Sequence, residues 1–163
     1  MKERIEEIVS KLEMLPHPEG GFYKETYRSK EKTELASVGA QRDLATSIYY
    51  LLSGQDFSSL HRIEQDENWY FHEGGTLHVH DIAPNGDYVC HALGLDLTAG
   101  ETPQCTIKAG HWFGASLKSV DSYALVGCVV APGFDFEDLE IGVQEDLLDL
   151  FPHLDELIRR LTR

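Results

Sequence analysis

His61-Arg62-Ile63-Glu64-Gln65-Asp66-Glu67-Asn68-Trp69-Tyr70-Phe71-His72-Glu73-Gly74 is the densest run of reactive side chains in the chain. It reads as a strand ending near Ile63, a polar turn, and a return strand from Glu67 to His72. Side chains alternate across a strand, so an inward-facing His61 brings Ile63 inward with it. On the return strand Glu67, Trp69 and Phe71 then share one face, with Tyr70 on the other. The expectation is a histidine and a carboxylate meeting inside an aromatic pocket.

Outward from this hairpin the same texture continues. Between Gly20 and Val130, β-branched and aromatic runs alternate with turn clusters at Ser53-Gly54, Glu73-Gly74-Gly75, Pro84-Asn85-Gly86-Asp87 and Thr98-Ala99-Gly100. Candidate strands are 21–27, 45–52, 58–63, 67–72, 76–82, 89–95, 104–108, 112–115 and 123–130. Many short, evenly spaced strands predict an all-β sandwich or barrel over about residues 20–130. The polar stretch 30–40 reads as an exposed loop. Ile5, Ile8, Val9, Leu12 and Leu15 recur at helical spacing until Pro16 and Pro18, which predicts an amphipathic helix over about 2–14 packed on a sheet. After Pro132, leucines at helical intervals predict a helical tail over about 144–161, with Pro152 opening its last helix.

The chain has 163 residues and a formal charge of −14, from 14 Lys+Arg against 28 Asp+Glu. One domain spanning 1–163 is expected, with enough apolar material for a core of its own. A field this negative repels nucleic-acid backbones and anionic lipid, so neither is expected as a partner. No apolar run approaches the roughly 20 residues of a bilayer crossing, and the N-terminus lacks a signal-peptide core; a cytoplasmic protein is expected. Cys90, Cys105 and Cys128 form no Cys-x-x-Cys pair and read as reduced core residues.

The hairpin resembles the first motif of the cupin superfamily, His-x-His, three or four residues, Glu, six residues, Gly: His61, Glu67 and Gly74 fit it, and Ile63 stands where the second histidine belongs. Lys108-Ala109-Gly110-His111-Trp112-Phe113 resembles the second motif, Pro-x-Gly followed after two residues by His, with Lys108 for the proline and Phe113 at the histidine position. The chain as a whole is similar to a small cupin branch catalogued as a domain of unknown function. The residues that carry this are Leu15-Pro16-His17-Pro18-Glu19-Gly20-Gly21-Phe22-Tyr23 with Thr26-Tyr27-Arg28, Thr46 to Leu52, Asp66-Glu67-x-Trp69, and Val130 to Asp138. The resemblance implies a double-stranded β-helix, or jelly-roll, barrel, an architecture of the nucleotide-sugar 3,5-epimerase type, and a homodimer.

A catalytic metal needs three or four converging ligands. The matched positions supply His61 and Glu67, with His111 in reserve, so no metal or other cofactor is expected and a divalent ion at those three residues is the lesser alternative. His78 and His80 share a face that reads as external or as a subunit interface. Gly20-Gly21 serves a tight turn, and Pro132 to Phe136 closes one barrel end. Arg28 offers either a clamp for an anionic ligand or a structural ion pair. The leading expectation is a small-molecule isomerase or epimerase. His61 is its base, Glu67 and Tyr23 its acid or relay groups, and Trp69, Phe71, Phe113, Arg28 and His111 bind the substrate. The alternatives are a non-catalytic binder of a small ligand and a metal-dependent enzyme.

Overall fold

The computed structural model describes residues 1–163. Helix α1 (Lys2–Lys11) is followed by β1 (Leu15–Pro16), β2 (Phe22–Arg28), β3 (Lys32–Leu35), β4 (Ala40–Asp43), β5 (Thr46–Ser53), β6 (Phe57–Arg62) and β7 (Asp66–Gly74). Then come β8 (Leu77–Ile82), β9 (Tyr88–Leu93), β10 (Gln104–Ile107), β11 (Trp112–Leu117), β12 (Tyr123–Ala131), β13 (Glu140–Ile141), α2 (Gln144–Leu150) and α3 (Asp155–Arg160). One antiparallel sheet has the order β1-β2-β5-β12-β7-β10 and the other β13-β6-β11-β8-β9. From β5 to β8 and from β9 to β12 the chain alternates between the two, which is the jelly-roll winding. The nine expected strands are all present. The sheets do not close into a barrel; they face each other as a sandwich with free edges.

Alternation along the strands gives each sheet two apolar faces. Tyr50, Leu52, Val126, Cys128 and Val130 from the first sheet meet Leu77, Val79, Phe113 and Ala115 from the second in the central core. Leu51 and Leu125, of opposite parity, are covered by Ile8 of α1 and by Met14. Leu60, Ile82 and Trp112 on the outside of the second sheet are covered by Leu147, Phe151, Ile158 and Leu161 of the C-terminal segment. The molecule is therefore four layers, helix, sheet, sheet, helices, and each layer excludes water from the one beneath it.

Three expectations need correction. The N-terminal helix stops at Lys11, not 14, because the chain turns at Glu13 (φ +53°) to lay Leu15–Pro16 beside Tyr23 and Phe22. The 30–40 stretch is no loop but most of the β3–β4 hairpin, whose polar strands are tied by ion pairs instead of apolar packing: Lys32 Nζ lies 2.9 Å from Asp43 Oδ1. Of the cysteines all are free, but Cys90 is exposed on edge strand β9 and only Cys128 is fully buried. His78 and His80 do lie on the outer face of the second sheet. His80 is buried there between the Tyr88 hydroxyl (2.8 Å) and Ser116 Oγ (2.9 Å), and desolvation lowers its pKa to about 4. The predicted last helix begins as a 3-10 turn at Pro152–Leu154 before α3. No helix is long and apolar enough to cross a membrane.

One buried ion pair fastens the hairpin to the segment that follows β12. Arg42 donates through Nε and Nη2 to both oxygens of Asp138, at 2.8 and 2.7 Å, and Gln65 Nε2 donates to Oδ2 at 2.6 Å. The Asp138 side chain is 1% exposed. Removing one partner strands the other charge out of water. Asp138→Ala is therefore expected to lower unfolding free energy by about 3–5 kcal/mol, read as a lower denaturant midpoint at unchanged m-value; a loss below about 1 kcal/mol would show that the pair is not structural.

Candidate functional site

At one end of the sandwich the inner faces turn polar and enclose a cavity of about 120 Å³. Its walls come from six places in the sequence. The turn before β2 contributes His17 and Glu19, β2 contributes Tyr23, Glu25 and Arg28, and β5 contributes Thr46 and Ile48. His61, Ile63 and Glu67 come from the β6–β7 hairpin, Cys128 and Val130 from β12, and Phe134 and Phe136 stand at the mouth. The Arg42–Asp138 pair two residues beyond Phe136 pins that mouth in place.

His61 is buried, and its Nδ1 hydrogen-bonds the Ser59 carbonyl at 2.7 Å, with Glu19 Oε2 beside it at 3.0 Å. The Ser59 carbonyl fixes the proton on Nδ1 and leaves Nε2 as the basic nitrogen. The carboxylate nearest His61 is Glu19, not the expected Glu67. Glu19 is itself buried and accepts a hydrogen bond from the Ser58 hydroxyl. The turn that delivers it is over-determined: Ser59 N–H and Arg163 Nη1 donate to the Glu19 carbonyl (2.8 and 2.7 Å), and the Tyr50 hydroxyl donates to the Gly20 carbonyl at 2.7 Å. Gly20 has φ +114°, and a Cβ there would lie 2.1 Å from the Phe57 carbonyl oxygen, so no other residue fits.

Glu67 lines the same cavity with a different electrical character. Burial, reinforced by the negative charge of Glu19, raises its pKa to about 8, against a smaller opposing effect of the Cys128 thiol. At neutral pH Glu67 is therefore a carboxylic acid able to give up a proton, while His61 offers a bare nitrogen able to take one. A proton acceptor and a proton donor open onto one water-poor space, the arrangement that general acid–base chemistry requires.

The other expected site residues are dispersed. Tyr23 lines the cavity, its ring edge-on to His17 at 4.7 Å. Arg28 is at the mouth, but its guanidinium is occupied: Nε and Nη2 donate to Glu25 at 3.0 and 2.8 Å, and Nη1 donates to Asp43 at 2.8 Å and to the Phe134 carbonyl at 3.1 Å. Trp69, Phe71 and Phe113 do not form the cavity wall; they pack in the central core, where Trp69 Nε1 is buried without a partner. Phe113 touches the site only from behind, its ring 4.1 Å from that of His61. The aromatic wall is instead Phe134 and Phe136. His111 lies outside the cavity, with its Nδ1 2.7 Å from Asp81 Oδ1, and His91 Nε2 sits 3.3 Å from the other oxygen. The sequence reading missed His17 and Glu19; their signal was the His17-Pro18-Glu19-Gly20-Gly21 segment, noticed for its resemblance and its turn and not for its side chains.

The cupin resemblance implies a metal, and the donors here do not fit one. Nδ1 of His61 is committed to the Ser59 carbonyl, Ile63 presents a hydrocarbon where the second imidazole would stand, Phe113 fills the last ligand position, and Glu67 holds its proton. No group of three or more His, Cys, Asp or Glu side chains is disposed to hold an ion. His111 cannot complete a set with His61 and Glu67 from its place beside Asp81.

Two measurements follow. Elemental analysis of the purified protein should find well under one Mn, Fe, Ni, Zn or Cu ion per chain, unchanged by His61→Ala. Glu67 also makes stability depend on pH. Its folded pKa of about 8 exceeds the ordinary 4.5 of the unfolded chain, so this contribution is greatest below pH 4.5, declines as pH rises, and is fully lost above about 8. At pH 7 the deficit is on the order of 3 kcal/mol, and Glu67→Gln, which cannot ionise, should raise the unfolding midpoint at pH 8 more than at pH 5. An equal shift at both would place the carboxyl's pKa in the ordinary range.

The model of the cupin superfamily domain of unknown function DUF985 matches residues 6–142. Among solved structures, protein SO0799 from Shewanella oneidensis is 40% identical with a TM-score of 0.89, covering 97% of this chain and 96% of that one. A hypothetical protein from Leishmania major is 34% identical with a TM-score of 0.91, covering 96% and 97%. The uncharacterized protein YML079W of Saccharomyces cerevisiae is 29% identical over 158 residues, 88% of this chain and 78% of its own length. Oxalate decarboxylase from Bacillus subtilis, 16% identical with a TM-score of 0.56 over 90% of this chain and 36% of that one, shares the fold alone. Facing jelly-roll sheets, a cavity at one end, and a family match over most of its length together place this chain in the cupin superfamily, in the DUF985 branch.

Proposed function

We propose that the protein is a metal-independent acid–base enzyme of isomerase or epimerase type, acting on a small carbonyl compound. The observation that supports it is the opposed roles of two groups on one cavity: His61, with its proton held on Nδ1 by the Ser59 carbonyl beside Glu19, and Glu67, neutral at pH 7. His61 Nε2 removes a proton from the carbon next to the carbonyl, and Glu67 gives its own to the carbonyl oxygen. The enol so formed is neutral, which suits a buried site that has no spare charge to stabilise an enolate. Reversal of the two transfers, with the proton returned to the other face or to the neighbouring carbon, gives an epimer or an isomer.

Size and charge narrow the ligand. About 120 Å³ is slightly less than the roughly 150 Å³ of an engineered cavity that holds benzene, so the reacting part is a single ring or a short chain. A nucleotide attached to it would remain outside, where Arg28, the one guanidinium at the mouth, is already satisfied by Glu25 and Asp43. An uncharged sugar, lactone or hydroxy-ketone fits better than a sugar diphosphate.

The test is incubation in D₂O with a panel of free aldoses and ketoses, lactones, sugar acids and nucleotide-sugars, followed by NMR. Catalysis appears as deuterium at a carbon next to the carbonyl, with the rate reduced at least about a hundredfold by His61→Asn or Glu67→Gln. The wild-type rate should fall above about pH 8 as Glu67 ionises, and that decline should vanish in Glu67→Gln. A ligand that raises the unfolding temperature but acquires no deuterium would favour the non-catalytic binding protein instead.

A further inference from the structure

Glu67 is a buried carboxyl for which the protein supplies no counter-ion. It is 9% exposed and lines the cavity, and the one side chain that hydrogen-bonds it is the Cys128 thiol. The other buried carboxylates at this end are furnished with donors. Asp138 takes two from Arg42 and one from Gln65, and Glu19 accepts from the Ser58 hydroxyl. A carboxyl withdrawn from water without a cation keeps its proton, and Glu67 does so on a wall that faces open space.

The cations nearby are already paired. Apart from His17 and His61, Arg28 is the one basic side chain on the lining, and its donors go to Glu25, Asp43 and the Phe134 carbonyl. Arg42 is held by Asp138 and Arg163 by Asp56. Burial opposes a charge on His17. The Tyr50 hydroxyl on β5 and the Cys128 thiol on β12 keep their protons and add no charge of their own. What remains in this space is the negative charge of Glu19, in a chain whose net charge is −14. Low-dielectric walls focus such a field, so the cavity attracts cations and repels anions.

The rest of the lining suits an organic cation. Ile48, Ile63 and Val130 present hydrocarbon, and Tyr23, Phe134 and Phe136 add aromatic rings, the last two edge-on with centroids 5.0 Å apart. Aromatic faces attract an ammonium group, and apolar walls receive its carbon body. A metal ion, by contrast, finds no group of three donors. The cavity of about 120 Å³ has room for about five non-hydrogen atoms, judged against the roughly 150 Å³ that holds benzene.

We propose that the cavity binds a small organic cation, a primary ammonium group on a short apolar body, with Glu67 as its counter-ion and Tyr23, Phe134 and Phe136 around it. Binding and proton loss are then linked: the ammonium stabilises the Glu67 anion, and the carboxyl proton leaves to solvent as the cation enters. This goes beyond the acid–base reading and does not depend on it. A bound ammonium takes from Glu67 the proton that the reaction needs, so an amine occupies the site as an inhibitor and not as a substrate.

The test is calorimetric titration of the protein at pH 7 with butylamine, a cation at that pH, and with its uncharged isostere butan-1-ol, in constant background salt and in two buffers of different ionisation enthalpy. Butylamine should bind at least about tenfold more tightly than butan-1-ol and release about one proton, since Glu67, with its pKa of about 8, is mostly protonated beforehand. In Glu67→Gln both the release and the preference for the amine should vanish. If that variant does not fold, the ¹³C carboxyl shift of Glu67 in labelled wild type reads the same event, moving from the protonated to the ionised position on addition of butylamine. Equal binding of the two compounds, no binding of the amine, or amine binding without proton release in the wild type each overturns the proposal. Amine binding with proton release but no deuterium exchange in any carbonyl compound rejects the enzymatic reading and leaves the cation site standing; deuterium exchange without amine binding does the reverse.

Discussion

The Glu19 carboxylate is the constraint from which the chemistry of this end of the molecule follows. A charge taken out of water must collect donors or lose its ionisation. Glu19 accepts from the Ser58 hydroxyl and has Nδ1 of His17 and of His61 within 3.2 and 3.0 Å of its two oxygens, while its own main chain is clamped by Ser59 and Arg163. Its charge also acts at a distance, because a second ionised carboxyl in the same space would repel it. Glu67, already disfavoured as an anion by burial, is pushed further toward the neutral acid. One fixed negative charge thus helps keep the neighbouring carboxyl protonated.

Departures from the metal-binding cupin pattern have a common physical result. Ile63 and Phe113 replace imidazoles with hydrocarbon on either side of His61, and Phe113 packs directly against its ring. Apolar flanks exclude water from behind the histidine and leave it one polar anchor, through Nδ1. The fold then retains an inward-facing histidine and glutamate at matched positions without the remaining donors that the metal-binding pattern supplies. Arg28 follows similar logic. In a chain of net charge −14, a lone guanidinium beside two carboxylates is paired before any ligand arrives, which turns a possible anion clamp into a fastening between β2, β4 and the segment that carries Phe134.

Two devices hold the mouth of the cavity. The buried Arg42–Asp138 pair joins the β3–β4 hairpin to the stretch after β12, and Phe134 and Phe136 hang from that stretch. A charged pair is a directional fastener where an apolar contact would slide, so the aromatic rings keep one position relative to the histidines. Apart from Arg163, which pins the Glu19 turn, the remaining layers do not touch the site. α1 and the C-terminal helices cover the outer faces of the sheets, and their role is to keep the strands dry.

Alternation of apolar residues, regular turn clusters and helical spacing at both ends were enough to establish nine strands, the terminal helices and the inward direction of His61, Ile63 and Glu67, because each depends on neighbours along the chain. The polar β3–β4 strands escaped detection because ion pairs, not an apolar period, hold them. Trp69, Phe71 and Phe113 share a face with the site residues, but facing inward does not distinguish the middle of a sandwich from its open end. That distinction depends on where the two sheets separate. Glu19 and His17 lie more than forty residues from His61 in a turn whose sequence speaks only of glycines. Their meeting with it is a product of β2 lying beside β5 and of the C-terminal arginine pinning the turn against β6. Local sequence determines which way a side chain points; only the packed sheets decide which distant carboxylates surround it, and with that the electrostatics of the cavity.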